Sequence, residues 1–254
     1  MAEASAAGQG LWMLGVVHRD PEGEARLLSW LRRLAPQAVG LELSMPSVKL
    51  RRERGEALRA KLAASLRHCL RGDLADAVEA GGRPPGVAGD LAAALEVPFE
   101  LLAAEAWARQ SGAALELLDD PVPAAQAVSL LEGELLEAPN VALLLEQEAK
   151  VGRAFDPIFE QYALARRYFA DPGLFRYHFG TSEAEAMAAR DAYVAEGLSR
   201  LCERHGCVVY VAGWEHLVDG GLKTIWPAFK EPSTAPGTGR AQRRLVNADP
   251  ADEP

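Results

Sequence analysis

Apolar residues fall along this chain in two alternating rhythms: short unbroken runs, and leucines spaced three or four apart. The run "LWMLGVVH" over 11–18, bounded by Gly10 and by Asp20-Pro21, predicts a buried strand that finishes on His18. Residues 23–35 carry Leu27, Leu28, Leu31 and Leu34 at helical spacing, and Pro36 stops them. "AVGLEL" over 38–43 then reads as a second strand. Strand, helix and strand in this order make a βαβ unit, whose crossover is nearly always right-handed.

Leu50, Leu58, Leu62, Leu66 and Leu70 predict an amphipathic helix over 49–70, with His68 on its flank. "GGRPPG" at 81–86 is a loop, 98–111 is helical again with Gly112 as its C-cap, and "AALELLDDP" over 113–121 reads as a third buried strand ending on Asp119 and Asp120. Helical spacing from 123 to 168, broken near Pro139 and Pro157, predicts three helices. An aromatic, turn-rich segment over 169–182 contains His178, which is read as a surface or packing residue. A long helix over 183–204 precedes the last run, "CVVYVAG" at 207–213, and His205 near its C-terminus suits the helix dipole. The pattern predicts an α/β fold: a mostly parallel central sheet flanked by helices, with a helical insertion at about 123–182. Residues 1–10 are expected to be a flexible N-terminus, 11–227 a single domain, and 228–254 a disordered tail rich in Pro, Gly, Ala and charge.

At 254 residues and 49% hydrophobic, the chain has enough apolar surface for a proper core, which excludes disorder throughout. A net charge of −9, with arginines scattered among acids, argues against nucleic acid as a partner. No apolar run approaches the roughly 18 residues of a membrane span, and the first ten residues lack the pattern of a signal peptide. A cytoplasmic protein without membrane attachment is the expectation. Cys69, Cys202 and Cys207 have no metal-type spacing and read as reduced core residues.

The candidate chemistry lies where the strands end. His18, Glu42, Asp119 with Asp120, and His216 each close a predicted strand, and in a parallel sheet those ends share the edge where ligands of open α/β sheets bind. Glu42 interrupts a run that helices should cover on both faces. A buried carboxylate needs a cation, a metal or a donor network, so an ion pair with an arginine, metal ligation and general-base work all remain open for it. Arg190 falls in step with the apolar stripe Ala186, Met187, Tyr193, Val194, Gly197, Leu198 and Leu201 of the long helix. It needs an anion, whether Glu42, Asp119 or a ligand's carboxylate or phosphate, unless it snorkels at the stripe's edge. Gly15-x-x-His18 and Gly213-x-x-His216 repeat one tetrapeptide at the ends of the first and last strands. Glycine permits close approach of a ligand and the imidazole can point into the crevice, so two histidines and a carboxylate could make three ligands of a divalent metal. A hydrogen-bonded structural or ligand-contacting role for the histidines remains open beside it.

This combination resembles the TraB/PrgY/GumN family, to which the Tiki proteases are related, within the wider EreA/ChaN-like fold. The likeness lies in "LGVVHRDPEGEARLLSWLRRLAPQAVGLELS" (14–44), "AWARQSGAALELLDDP" (106–121) and "EAMAARDAYVAEGLSRLCERHGCVVYVAGWEHLVDG" (185–220), in that order, and covers nearly all of the chain up to about residue 226. It maps the family's signature onto Gly15, His18, Glu42, Gly213 and His216, and the Arg-Asp pair of its last helix onto Arg190 and Asp191. Trp214 and Glu215 depart from it, since small residues usually stand between that glycine and histidine. The resemblance implies a metal-dependent hydrolase for the Tiki branch, pheromone regulation for the PrgY branch, ester hydrolysis for EreA-like relatives and haem binding for ChaN-like ones; fold membership alone does not choose among them. The leading expectation is a peptidase-type hydrolase acting on a peptide or other small molecule. In it, His18, Glu42 and His216 hold a manganese, cobalt or zinc ion whose water attacks, Glu42 or Asp119 accepts the proton, and Arg190 orients a carboxylate or stabilises developing charge. The alternatives are a non-catalytic regulator that binds a peptide, haem or metal in the same cleft, and a purely structural Arg190–Glu42 cluster.

Overall fold

The structure is a computed structural model that describes residues 10–151, 158–171, 173–174, 184–218, 225, 229 and 241–247. In chain order its elements are β1 (Gly10–Val16), α1 (Gly23–Leu34), β2 (Ala38–Leu41), α2 (Met45–His68), α3 (Gly72–Glu79), α4 (Val87–Ala94), α5 (Phe99–Ser111), β3 (Ala114–Leu117), α6 (Pro121–Leu130), α7 (Ala138–Val151), α8 (Ile158–Ala170), α9 (Ala184–Arg204), β4 (Cys207–Gly213) and β5 (Gln242–Leu245). A π-helical turn at Leu131–Leu135 joins α6 to α7, and a 3-10 turn at Trp214–Leu217 follows β4. The fold is α/β, with a five-stranded sheet in the order β3-β2-β4-β1-β5 whose pairings are all parallel.

β4 lies at the centre and is buried along its whole length, as its unbroken apolar sequence requires. Alternation divides its side chains between two faces. Val208, Tyr210 and Ala212 join Leu11 and Met13 of β1 against Val194, Leu198 and Leu201 of α9. On the other face Trp12 of β1 meets Trp30 of α1, their ring centroids 6.5 Å apart. Gly112, at φ 75°, ends α5 in the left-handed conformation that favours glycine.

Several expectations change in the structure. β3 is an edge strand with half-buried side chains, because only β2 pairs with it. Part of the supposed disordered tail is ordered: Gln242–Leu245 pairs in parallel with β1, and the Val246 carbonyl accepts a hydrogen bond from Trp30 Nε1 at 3.1 Å. Backbone pairing ignores the side-chain pattern, and the polar residues of an edge strand conceal it. Two members of the predicted stripes are exposed: Leu70, which lies past the end of α2 at φ 60°, and Tyr193.

The chain divides into two compact units. One holds the sheet and draws on Met1–Leu43, Pro98–Asp120 and Ile158–Pro254; the other draws on Ser44–Val97 and Pro121–Pro157. Thus α8, expected within the insertion, belongs with the sheet. The second unit is helical. Ser44 caps α2 by accepting from the Ser47 N–H, and Leu58, Leu62 and Leu66 pack with Leu74, Val78, Leu91, Leu95, Leu136 and Val141. Arg59 closes the 81–86 loop by donating to the carbonyls of Val78 and Gly82. His68 is exposed, and the three cysteines are free thiols. His178 lies outside the described residues. Among the described residues no helix is long and apolar enough to cross a membrane.

Candidate functional site

Because the strands run parallel, residues far apart in sequence emerge together at their carboxyl ends. Glu42 directly follows β2, its N–H donating to the Val211 carbonyl of β4 at 3.0 Å. Asp119 follows β3, its N–H donating to the Leu43 carbonyl at 3.1 Å. His18 follows β1, and His216 sits in the turn after β4. A Cβ on Gly15 would lie 3.2 Å from Trp214 Cα, so this glycine lets the turn's backbone lie close over β1.

Arg190, near the start of α9, ties these ends together. Its Nε donates to Asp119 Oδ1 at 2.6 Å and one terminal nitrogen donates to Glu42 Oε1 at 2.5 Å. Both protein anions nominated for it are therefore its partners. Glu42 is buried and fully engaged: Oε1 also lies 2.9 Å from His216 Nε2, and Oε2 accepts the Gly213 N–H at 2.9 Å. Burial alone would raise its carboxyl; the His216 imidazolium, its hydrogen bond, Arg190 and His18 outweigh that and hold it at about 2. His216 is almost wholly buried. Desolvation opposes its charge, but Glu42 and Asp191 outweigh that and raise it to about 10. Asp191 Oδ1 stands 3.6 Å from His216 Nδ1, an ion-pair distance rather than a hydrogen bond. Tyr210 is buried beside this cluster, and among the described residues its hydroxyl has no hydrogen-bond partner. Burial first, then the charge of Glu42, pushes it well above its ordinary value.

His18 differs. Its side chain is 53% exposed, yet its Nδ1 lies 2.7 Å from Oε1 of Glu100, whose side chain is 3% exposed. Desolvation works against the charged ring, and the Glu100 hydrogen bond and charge, with Glu42 and Glu215, overcome it and raise His18 to about 9. The other nitrogen, Nε2, borders Gly213: a Cβ placed there would lie 3.0 Å from it. Asp20 fastens the loop that carries His18. Its buried carboxylate accepts from the Tyr162 hydroxyl at 3.0 Å, the Glu22 N–H at 2.9 Å and Arg26 at 2.7 Å, and Tyr162 accepts from the Val17 N–H at 3.4 Å.

Glu100 is the residue that sequence reasoning missed. An acid in the first turn of a helix has an ordinary explanation in the helix dipole, so nothing local points to His18, 82 positions away. Asp20 was legible only as a turn residue, and Tyr162 only as one residue of a helix. Asp120 shares the strand end and donates its backbone N–H to Asp119 Oδ1.

In this structure the expected ligands His18, Glu42 and His216 are held by protein partners. Both Glu42 oxygens accept hydrogen bonds, His216 Nε2 lies 2.9 Å from Glu42 Oε1, and the Arg190 guanidinium supplies a cation beside them. Among the described residues no three His, Cys, Asp or Glu side chains gather in a metal-holding group. The chain matches no protein-family model, no curated protein and no solved structure.

Proposed function

We propose that this chain is a hydrolase of ester or amide bonds in small molecules or peptides, with His18 as the proton donor at the carboxyl edge of the sheet. The observation that carries this reading is the contrast in exposure within the His18–Glu100 pair. A buried carboxylate holds one nitrogen of a half-exposed imidazole and leaves the other turned toward Gly213. Purely structural pairing would not need the ring to reach solvent. A base or acid oriented through its far nitrogen by a carboxylate is the recurring arrangement of histidine catalysts.

With its value raised to about 9, His18 is an imidazolium at neutral pH. It is suited to protonate a leaving alkoxide or amine as the acyl bond breaks. Arg190 serves as a positioning residue: it joins the ends of β2 and β3 through Glu42 and Asp119, and its remaining terminal nitrogen lies 3.5 Å from His216 Nε2 after β4. The resemblance to the TraB/PrgY/GumN family and to EreA-like esterases rests on the motif residues and supports hydrolysis as the reaction class; no step here passes through a metal.

The test is turnover by the full chain, with and without chelator, of a panel of alkyl esters, followed by acid release, and of fluorogenic peptide amides, whose leaving groups need a proton. The expected result is hydrolysis that survives chelation and falls by about 10²- to 10⁴-fold in His18→Ala, the usual range for a lost acid or base. Hydrolysis abolished by chelation and restored by manganese, cobalt or zinc would instead support the metal-dependent reading. Binding without turnover of any panel member would assign the cleft to a regulator that sequesters its ligand.

A further inference from the structure

His18 stands inside a tight turn. The Asp20 N–H donates to the Val17 carbonyl at 2.9 Å, so Val17 and Asp20 are the ends of the turn and His18 lies between them. A single side-chain atom reaches both ends. The Tyr162 hydroxyl donates to Asp20 Oδ2 at 3.0 Å and accepts the Val17 N–H at 3.4 Å, from 142 and 145 positions away. Val17, Asp20 and Tyr162 are all buried, so bulk water does not take the hydroxyl's place. Arg26 donates to the same Asp20 oxygen at 2.7 Å, which fixes the acceptor itself.

The helix that carries Tyr162 also braces the second Gly-x-x-His turn. Farther along α8, Tyr168 stacks on Trp214, with ring centroids 5.7 Å apart and planes 17° apart. Next to it, the Phe169 carbonyl accepts from Arg243 of β5 at 3.2 Å, and the same guanidinium donates to the Leu217 carbonyl at 2.6 Å. The end of α8 is thus tied to the end of the turn that carries His216. The stretch of helix from Tyr162 to Tyr168 spans about 9 Å, so α8 is a rigid spacer with one histidine turn fastened at each end of that interval. The two turns meet where His18 Nε2 borders Gly213.

From these contacts we infer that α8 aims His18, and that Tyr162 is a positioning residue for the hydrolysis proposed above. The second half of that inference rests on the hydrolase reading; the first does not. Tyr162 acts through the turn and touches no reacting atom. With both ends of the turn held, the imidazole presents Nδ1 to Glu100 and keeps Nε2 against Gly213. Half of the ring is open to solvent, so packing alone does not hold it. Without the Tyr162 oxygen the turn is free to swing the ring away from Glu100. A displacement of about 1 Å at an acid or base costs up to about 100-fold in a chemical step.

The experiment compares wild type, Tyr162→Phe, Asp20→Asn and Trp30→Phe, with thermal melts to establish that each is folded. Tyr162→Phe removes one oxygen and keeps the ring, while Trp30→Phe gives up a hydrogen bond elsewhere in the same unit. Asp20→Asn weakens the Tyr162 bond from its acceptor side and decides the matter should Tyr162→Phe not fold. Two quantities are read: kcat and KM on the alkyl esters, and the midpoint of the His18 imidazole in an NMR titration. Tyr162→Phe should lose about 10- to 100-fold in kcat with KM within about twofold, because the aim of the acid matters in the chemical step and not in binding. Its His18 midpoint should fall from about 9 toward 6.5, since desolvation opposes the charged ring and the Glu100 pair, with Glu42 and Glu215, is what overcomes it. Trp30→Phe should change neither quantity. Tyr162→Phe with kcat within about threefold of wild type and His18 still at about 9 overturns the assignment, however much stability it loses, and leaves the hydrolase reading intact. An equal fall in kcat for Trp30→Phe overturns it as well, by making Tyr162 a general support. A wild type inert on every ester and amide overturns the hydrolase reading, and the His18 titration then decides the aiming role of α8 by itself.

Discussion

The two Gly-x-x-His motifs look alike on paper and are opposites in the fold. His216 lies in a closed set of charges: Glu42 holds one nitrogen, Asp191 faces the other, and Arg190 links the ends of three strands around it. Among the described residues His18 pairs with Glu100 through one nitrogen, and half of its side chain is open to solvent. The same tetrapeptide therefore builds a closed charge cluster at one strand end and a half-exposed ion pair at the other. What separates them is the number of carboxylates and cations that the tertiary structure brings to each ring.

That contrast can be broken from either side. The largest expected effect is on turnover: His18→Ala should lose about 10²- to 10⁴-fold in kcat/KM on a reporter ester. Its thermal midpoint should move less than that of Arg190→Ala, because water reaches the half-exposed ring and screens its pair with Glu100. The converse holds for the fastening. Arg190→Ala should destabilise the protein by about 2 to 3 kcal/mol, read from urea unfolding, since Glu42 and Asp119 lose their shared cation. This is set below the range for fully buried pairs because the guanidinium keeps some contact with water. For a chain of this size each kcal/mol corresponds to a midpoint shift of about 2 to 4 °C. Equal stability losses at both histidines would dissolve the distinction.

A pH series sharpens it. His18 at about 9 and His216 at about 10 in the fold lie above their ordinary 6.5, so the stability they add is complete below pH 6.5 and is lost as pH rises through 9 and 10. Glu42, held at about 2 against 4.5, adds stability that is complete above pH 4.5 and is lost as pH falls toward 2. Maximum stability from these groups therefore lies between pH 4.5 and 6.5. Glu42→Gln should flatten both slopes, because His216 loses the neighbour that raises it most. Glu100→Gln should leave the acid slope in place and lower His18 toward 6.5, seen as movement of its imidazole resonances in an NMR titration. The smallest effect on turnover is expected for Trp30→Phe, which gives up the hydrogen bond to Val246 and part of a fully buried ring packed on Trp12: about 1 to 3 kcal/mol of stability, with turnover unchanged.

Much of the fold was legible because burial imposes a period. Unbroken apolar runs marked β1, β2 and β4, leucine spacing marked α1 and α2, and a mixed apolar stripe marked α9, within a few residues of where they lie. β5 was not legible, since arginines on an edge strand look like those of a solvated tail. The strand-end residues could be nominated from sequence, because a parallel sheet delivers its carboxyl ends to one edge. Glu215 stood out only as a bulky charge within the second motif, and its approach to Gly213 depends on the turn at Trp214–Leu217.

The sequence by itself determined the alternation of strands and helices, and hence which polar residues would meet at the sheet's edge; local spacing and burial suffice for that. Only the tertiary structure decided who pairs with whom. Arg190 reached both Glu42 and Asp119, and Glu100, inconspicuous in its own helix, became the partner of His18. Charge pairing acts through space over a few ångströms, and separations of 82 or 148 positions along the chain carry no record of it.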